Sequence, residues 1–208
     1  MSIKYYNPED DNSNETFLNR DPFDNLLEEK HTPLPHYITC ASFCPCDMAK
    51  QDIDQITHRI DRGNIFISGY HTARCPRIIQ KHKIGAVISI GIDVHHNIPT
   101  FSVDFDDTLN TDITPYLEPS RMFLYHHLQE KNVNVLIHCY AGISRSISIC
   151  LYYLAITNDW SYDRALEFIK TNRKDAKPNY GFEKTIRTIL EQRKRIHDTV
   201  RNFTAFPL

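Results

Sequence analysis

This sequence predicts an α/β fold: a central, mostly parallel twisted sheet flanked by helices, with one loop running from a central strand directly into a buried helix. Three observations predict it. From about residue 52, short β-rich runs alternate with helical patterns, the order that builds parallel crossovers. "GAVISIG" (85–91) is a continuous apolar run between glycines, as expected of a strand buried on both faces. "NVNVLIHCYAGISRSISICLYYLAI" (132–156) joins an apolar strand to an apolar helical run through a short loop with one glycine.

The elements follow in order. "NIFIS" (64–68) reads as a strand, followed by a helix over about 73–82 with Pro76 in its first turns. "GAVISIG" is the next strand, and "FSVDF" (101–105) alternates apolar and polar residues as a half-buried strand does. A helix lies within 114–131, its start expected to wait for Pro119, because an interior proline removes a hydrogen bond. "NVNVLI" (132–137) is the strand that ends at His138-Cys139. After the buried helix, Ser161 is placed to cap "YDRALEFIKTN", where Ala165, Leu166, Phe168 and Ile169 share a face. In the last helix Phe182, Ile186, Ile189, Leu190, Ile196 and Val200 follow the 3.6-residue period.

Residues 1–50 read as an N-terminal acidic and polar extension, partly disordered or docking, 51–201 as the folded domain and 202–208 as a tail. "PEDDNSNET" opposes compaction, the prolines of "HTPLPHY" fix extended backbone, and "NLLEE" reads as a short helix. Residues 1–30 carry a net charge of −5 within a chain of −2, so the remainder is mildly basic. That balance gives no general drive toward nucleic acid or anionic membrane. The N-terminus lacks the basic and apolar regions of a secretory signal, and the longest apolar run, 147–156, is short for a membrane span. The expectation is a soluble protein of the cytoplasm or nucleus, with its six cysteines reduced.

The loop at 138–146 carries the chemistry. Tyr140, Ala141, Gly142, Ile143 and Ser144 lie between Cys139 and Arg145 without a proline, so every amide N–H is available. A loop wrapping into a helix N-terminus can aim those groups inward as an anion nest. Gly142 supplies the turn, and Arg145 offers a planar fork to two oxygens of an oxyanion. A phosphate monoester fits that cradle. A free thiol is mostly protonated at neutral pH, and the same field favours the thiolate, the competent nucleophile. His138 is placed to orient the cysteine, and Ser146 to donate a hydrogen bond to the sulfur.

HC-x-x-G-x-x-R-S between strand and helix resembles the signature of the cysteine-dependent protein tyrosine phosphatase superfamily, and the chain is most similar to its dual-specificity branch. The likeness covers about 57–196: "NIFISGYHTA" resembles the family's first strand and turn, "DDTLNTDI" its general-acid loop, and "ALEFIKTNRKDAKPNYGF" its late helix and Pro-Asn-x-Gly-Phe segment. The extension is a departure from the family pattern. The resemblance implies a proton donor in the loop after a strand, ahead of an Asp-Ile pair. Asp107 fits, five residues before Asp112 and 32 before Cys139. Its neighbour Asp106 is the alternative, and Asp104 stands behind both. Asn179 resembles a family position whose amide braces the loop, though an Asn in a turn before a helix reads equally well as structural.

Other features take the plainer reading. Cys40, Cys44 and Cys46 match no common zinc spacing, with His36 or Cys75 as a fourth ligand, and a protective disulfide with Cys139 is a second minor option. The cluster Arg187, Arg193, Lys194, Arg195 and Arg201 reads as a solvated helix face, and His95-His96 and His126-His127 as structural. The function expected is a protein phosphatase for phosphotyrosine and for phosphoserine or phosphothreonine, with no metal or cofactor and a phosphoprotein as partner. The alternatives are a phosphatase for a phosphoinositide or an RNA 5′ end, and a phosphoprotein-binding module without turnover. The loop has no lysine for a highly charged lipid headgroup, and both nucleophile and arginine are present. Oligomeric state, a homodimer included, is left open.

Overall fold

A computed structural model of the chain describes residues 2–8, 52–56 and 61–204. Six strands form one sheet: β1 Ser2–Tyr6, β2 Ile53–Ile56, β3 Ile65–Gly69, β4 Ile84–Ile90, β5 Thr100–Asp104 and β6 Asn134–Cys139, in spatial order β1-β5-β4-β6-β3-β2. The inner pairs β5–β4, β4–β6 and β6–β3 are parallel, and each edge strand is antiparallel to its neighbour. The sheet is therefore mostly parallel, as the alternating pattern requires.

Pleating sorts the strand residues onto two faces. Phe66, Val87 and Leu136 pack with Ala73 and Ile79 from the short helices α1 (Tyr70–Ala73) and α2 (Pro76–Lys81). Ile65, Ile67, Ile88, Ile90 and Ile137 pack on the larger helical layer: α3 (Thr114–Tyr125), α4 (Arg145–Asn158), α5 (Tyr162–Lys170) and α6 (Tyr180–Thr204). Residues 146–156 of α4 are all buried, which explains why that helix is apolar around its whole circumference.

Several expectations are corrected. One helix over 73–82 becomes two, because Pro76 sits at the start of α2 and holds Cys75 extended before it (φ −86, ψ 114). Helix α3 starts at Thr114, ahead of Pro119: Pro115 occupies its first turn, and Pro119 lies inside the helix, which loses one bond and continues. The chain then passes through a π turn, His126–Glu130. In α6 the apolar stripe stops being core after Leu190, since Ile196 and Val200 are 66% and 56% exposed. Ser161 caps α5 as expected, accepting from the Arg164 N–H at 3.3 Å.

The strand Ser2–Tyr6 lies in the stretch that composition assigns to the extension. Ile3 and Tyr5 pack on the core, Tyr5 edge-on to Phe123 at 6.2 Å, while Lys4 and Tyr6 are exposed. The expectations for "NLLEE", "HTPLPHY", Cys40, Cys44 and Cys46 lie outside the described residues.

Candidate active site

The parallel strands place β6 between β4 and β3, and Cys139 is its last residue, paired in register with Gly69. The loop 140–144 turns over the carboxyl end of the sheet and enters α4 at Arg145. Such sheets collect ligands at that end.

The loop's shape follows from where its carbonyls go. Tyr140 O accepts from Tyr70 N–H at 2.9 Å, and Ile143 O from Lys177 N–H at 2.8 Å. Between them, Gly142 O and Ala141 O accept from Arg173, at 2.6 Å from Nε and 3.3 Å from Nη2. No peptide bond in the described chain is cis. In a trans peptide the N–H points opposite to the C=O. With these carbonyls bound on the outside, the N–H groups of Ala141, Gly142, Ile143 and Ser144 are turned to the inner side, where Cys139 lies. One is already in contact: the Gly142 N–H is 3.2 Å from Cys139 Sγ. Gly142 has φ +71, and a Cβ there would meet Arg173 Nη2 at 2.6 Å and Ser68 O at 2.7 Å. Only glycine fits.

Ser146 Oγ lies 3.4 Å from the sulfur and is fully buried. Arg145 crosses Gly91 on the loop after β4: a Cβ there would stand 2.1 Å from Arg145 Nη1. Its Nη1 donates to Phe105 O at 3.4 Å, while its buried Nε has no hydrogen-bond partner among the described residues. That leaves guanidinium donors for an incoming oxyanion.

Asp107 is turned toward this loop. Its Oδ1 accepts from Ser144 Oγ at 2.8 Å and from Asn179 Nδ2 at 2.6 Å, and its Oδ2 is 3.9 Å from Arg145 Nε. Asp104, Asp106 and Asp107 are all exposed, and what sets Asp107 apart is its bonds to Ser144 and Asn179. Asn179 also donates to Thr108 O, gives its N–H to Ser144 Oγ at 3.1 Å, and accepts from Phe182 N–H at the start of α6. Its bonds thus link the Asp107 segment, Ser144 of the loop and the start of α6.

His138 is fully buried, its Nε2 bonded to Ser89 Oγ at 2.9 Å and its Nδ1 3.5 Å from the Cys139 carbonyl. Burial chiefly draws its pKa down to about 4, so the ring is neutral at neutral pH. Its contact with Cys139 is through the backbone carbonyl, while the sulfur itself meets Ser146 Oγ and the Gly142 N–H. The sequence reading missed Ser89, Arg173 and the carboxylates that hold Arg173. Ser89 was detectable as a polar residue inside an apolar strand. Arg173 has charged and polar neighbours on either side and carries no local signal.

The model of the dual specificity phosphatase catalytic domain matches residues 65–192, more than half of the sequence. The chain belongs to the dual specificity phosphatase family. Among relatives, the tyrosine-protein phosphatase yvh1 of Schizosaccharomyces pombe is 29% identical over 144 residues, covering 67% of this chain and 43% of its own. Human dual specificity protein phosphatase 5 is 31% identical over 119 residues, 55% of this chain and 30% of its own. The chain thus spans less than half the length of either relative. The crystal structure of the Yvh1 phosphatase domain from Chaetomium thermophilum superposes with a TM-score of 0.61 at 25% identity, covering 67% of this chain and 96% of that one. That of DUSP15 gives 0.57 at 26%, covering 61% and 82%. Among the described residues no helix is long and apolar enough to cross a membrane.

Proposed function

We propose that this chain is a protein phosphatase that hydrolyses phosphotyrosine, and phosphoserine or phosphothreonine, through a cysteinyl-phosphate on Cys139. The observation that carries the reading is the outward binding of the loop carbonyls from 140 to 143, which leaves a ring of N–H donors around one sulfur. A phosphate seated there meets those donors and the Arg145 fork. The thiolate attacks phosphorus, forming the S–P bond as the ester P–O bond breaks, and Asp107 passes its proton to the leaving oxygen. Its Oδ1 is occupied by Ser144 and Asn179, so Oδ2 is the oxygen that carries the proton. Water then attacks the phosphoenzyme, Asp107 takes a proton back, and the sulfur leaves as thiolate with the Ser146 hydroxyl beside it.

Apart from substrate and the attacking water, we assign each role to a group of this chain. We assign its substrates to phosphoproteins of the cytoplasm or nucleus, where a thiol nucleophile stays reduced. The test is turnover of an aryl phosphate and of matched phosphotyrosine and phosphothreonine peptides, with EDTA present. Wild type is expected to turn over, Cys139→Ser to be inactive, and Asp107→Ala to be slowed on peptides by roughly 10²–10⁴-fold. Wild type that binds the peptides and releases no phosphate overturns the enzyme reading and makes the chain a phosphoprotein-binding module.

A further inference from the structure

Arg173 follows α5 in a turn and is 5% exposed, the only Lys, Arg, Asp or Glu in the buried class among the described residues. Its charge is met by two carboxylates from the far edge of the sheet. Asp54 of β2 pairs with Nη1 at 2.7 Å, and Asp52, just before β2, pairs with Nη2 at 2.8 Å. Asp52 also accepts from the Gly69 N–H at 3.2 Å. The adjacent Nε–Nη2 edge of the same guanidinium grips Gly142 O and Ala141 O, so Nη2 serves both Asp52 and the loop.

We propose that Arg173 is a positioning residue for the phosphate loop, and that Asp52 and Asp54, which precede the family-matched span of 65–192, complete the device. This rests on the phosphatase reading of the site. One trans peptide carries both ends of the coupling. The Ala141 carbonyl faces Arg173, and the Gly142 N–H on the same plane faces Cys139 Sγ. Gly142 lacks a side chain that would resist rotation of this plane. Turned over, the plane would aim a carbonyl oxygen at the thiolate and at the phosphate. The two outward carbonyls need donors in a buried place, and a guanidinium supplies several in a fixed fork, which an ammonium cannot. The two carboxylates make that buried cation tolerable.

The experiment uses the full chain as Arg173→Lys, Arg173→Met and the Asp52→Asn/Asp54→Asn pair. It reads kcat and KM on an aryl phosphate, inhibition by orthovanadate, the pH dependence of Cys139 alkylation by iodoacetamide, and thermal melting. Arg173→Lys keeps the charge and loses the fork. It is expected to lower kcat by roughly 10- to 100-fold and weaken vanadate by a similar factor. Its alkylation curve moves to higher pH while the protein still melts cooperatively. The Asp pair variant moves the same way, and Arg173→Met further. The proposal is overturned if Arg173→Lys and the Asp pair variant keep kcat, vanadate inhibition and the alkylation curve within about twofold of wild type. It is equally overturned if activity falls only in step with the folded fraction and the alkylation curve stays put. Should wild type prove unable to turn over the ester, vanadate binding and alkylation still report the loop, so the two readings fail separately.

Discussion

Acidification from about pH 7.5 to 5 is expected to lower the stability of this fold by about 4 kcal/mol, because two imidazoles are shut away from water. His138 is fully buried, and His127, in the π turn, is 4% exposed. Burial is the main cause that draws both pKa values down to about 4 from 6.5, with backbone carbonyls opposing it and neighbouring cationic groups assisting. In the unfolded chain each ring takes up its proton near 6.5, and in the folded chain only near 4. Between those values the unfolded state binds more protons, so stability falls as pH falls. At about pH 5 each histidine lies roughly 1.5 units below its unfolded value, which is about 2 kcal/mol apiece. The loss levels off below pH 4 at about 3 kcal/mol each, against a typical total of about 5–15 kcal/mol. Asp112 and Asp163, held low mainly by hydrogen bonds from Thr114 and Arg187, act only below their ordinary 3.8 and leave the window from pH 5 upward to the histidines, where His82 and His96, also lowered chiefly by burial, act in the same direction. The assay is urea unfolding by far-UV circular dichroism at about pH 7.5, 6 and 5, on wild type and His127→Gln. His127 bonds Phe123 O at 2.9 Å, in a helix–strand connection on no part of the phosphate loop. Wild type should lose about 4 kcal/mol over that range and the variant about 2. Equal stability at both ends, or an unchanged slope in the variant, refutes the reasoning.

Two further outcomes follow from single contacts. Ser146→Ala removes the hydroxyl 3.4 Å from Cys139 Sγ, so the phosphoenzyme should form at near the wild-type rate and break down roughly fivefold to tenfold more slowly. A larger pre-steady-state burst of aryl product checks this. Tyr153→Phe deletes a 2.6 Å bond from a fully buried phenol to Asp61, which Gln129 also contacts at 2.7 Å. It should lower stability by about 2 kcal/mol and the melting temperature by about 4–8 °C, with turnover unchanged.

What could be read from the sequence was set by near neighbours along the chain. The spacing of Cys139, Gly142, Arg145 and Ser146 is a local property of a strand entering a helix, and it specifies the cradle before any fold is known. Apolar runs placed β3, β4, β6 and α4 because those elements are buried on all sides and cannot disguise their composition. The start of α3 was harder, since Pro119 obeys its own rule but Pro115 had already opened the helix. In α6, Ile196 and Val200 keep the period of a buried face where the described body no longer packs on it, because periodicity states which residues share a face and not whether anything covers it.

The tertiary structure alone decided what holds the cradle in shape. Arg173 lies 31 residues from Gly142 and 119 from Asp54. Ser89 is 49 from His138, and Asp107 is 72 from Asn179. The strand Ser2–Tyr6, in a stretch rich in charge nearby, joins the sheet only because β5 offers an edge and Phe123 a surface for Tyr5. A hydrogen-bond donor or a carboxylate acts over a few ångströms of space, whatever the distance along the chain. Chemistry confined to one turn of backbone is therefore written in the sequence, while the groups that orient it become partners only when the sheet brings its edges and its carboxyl ends together.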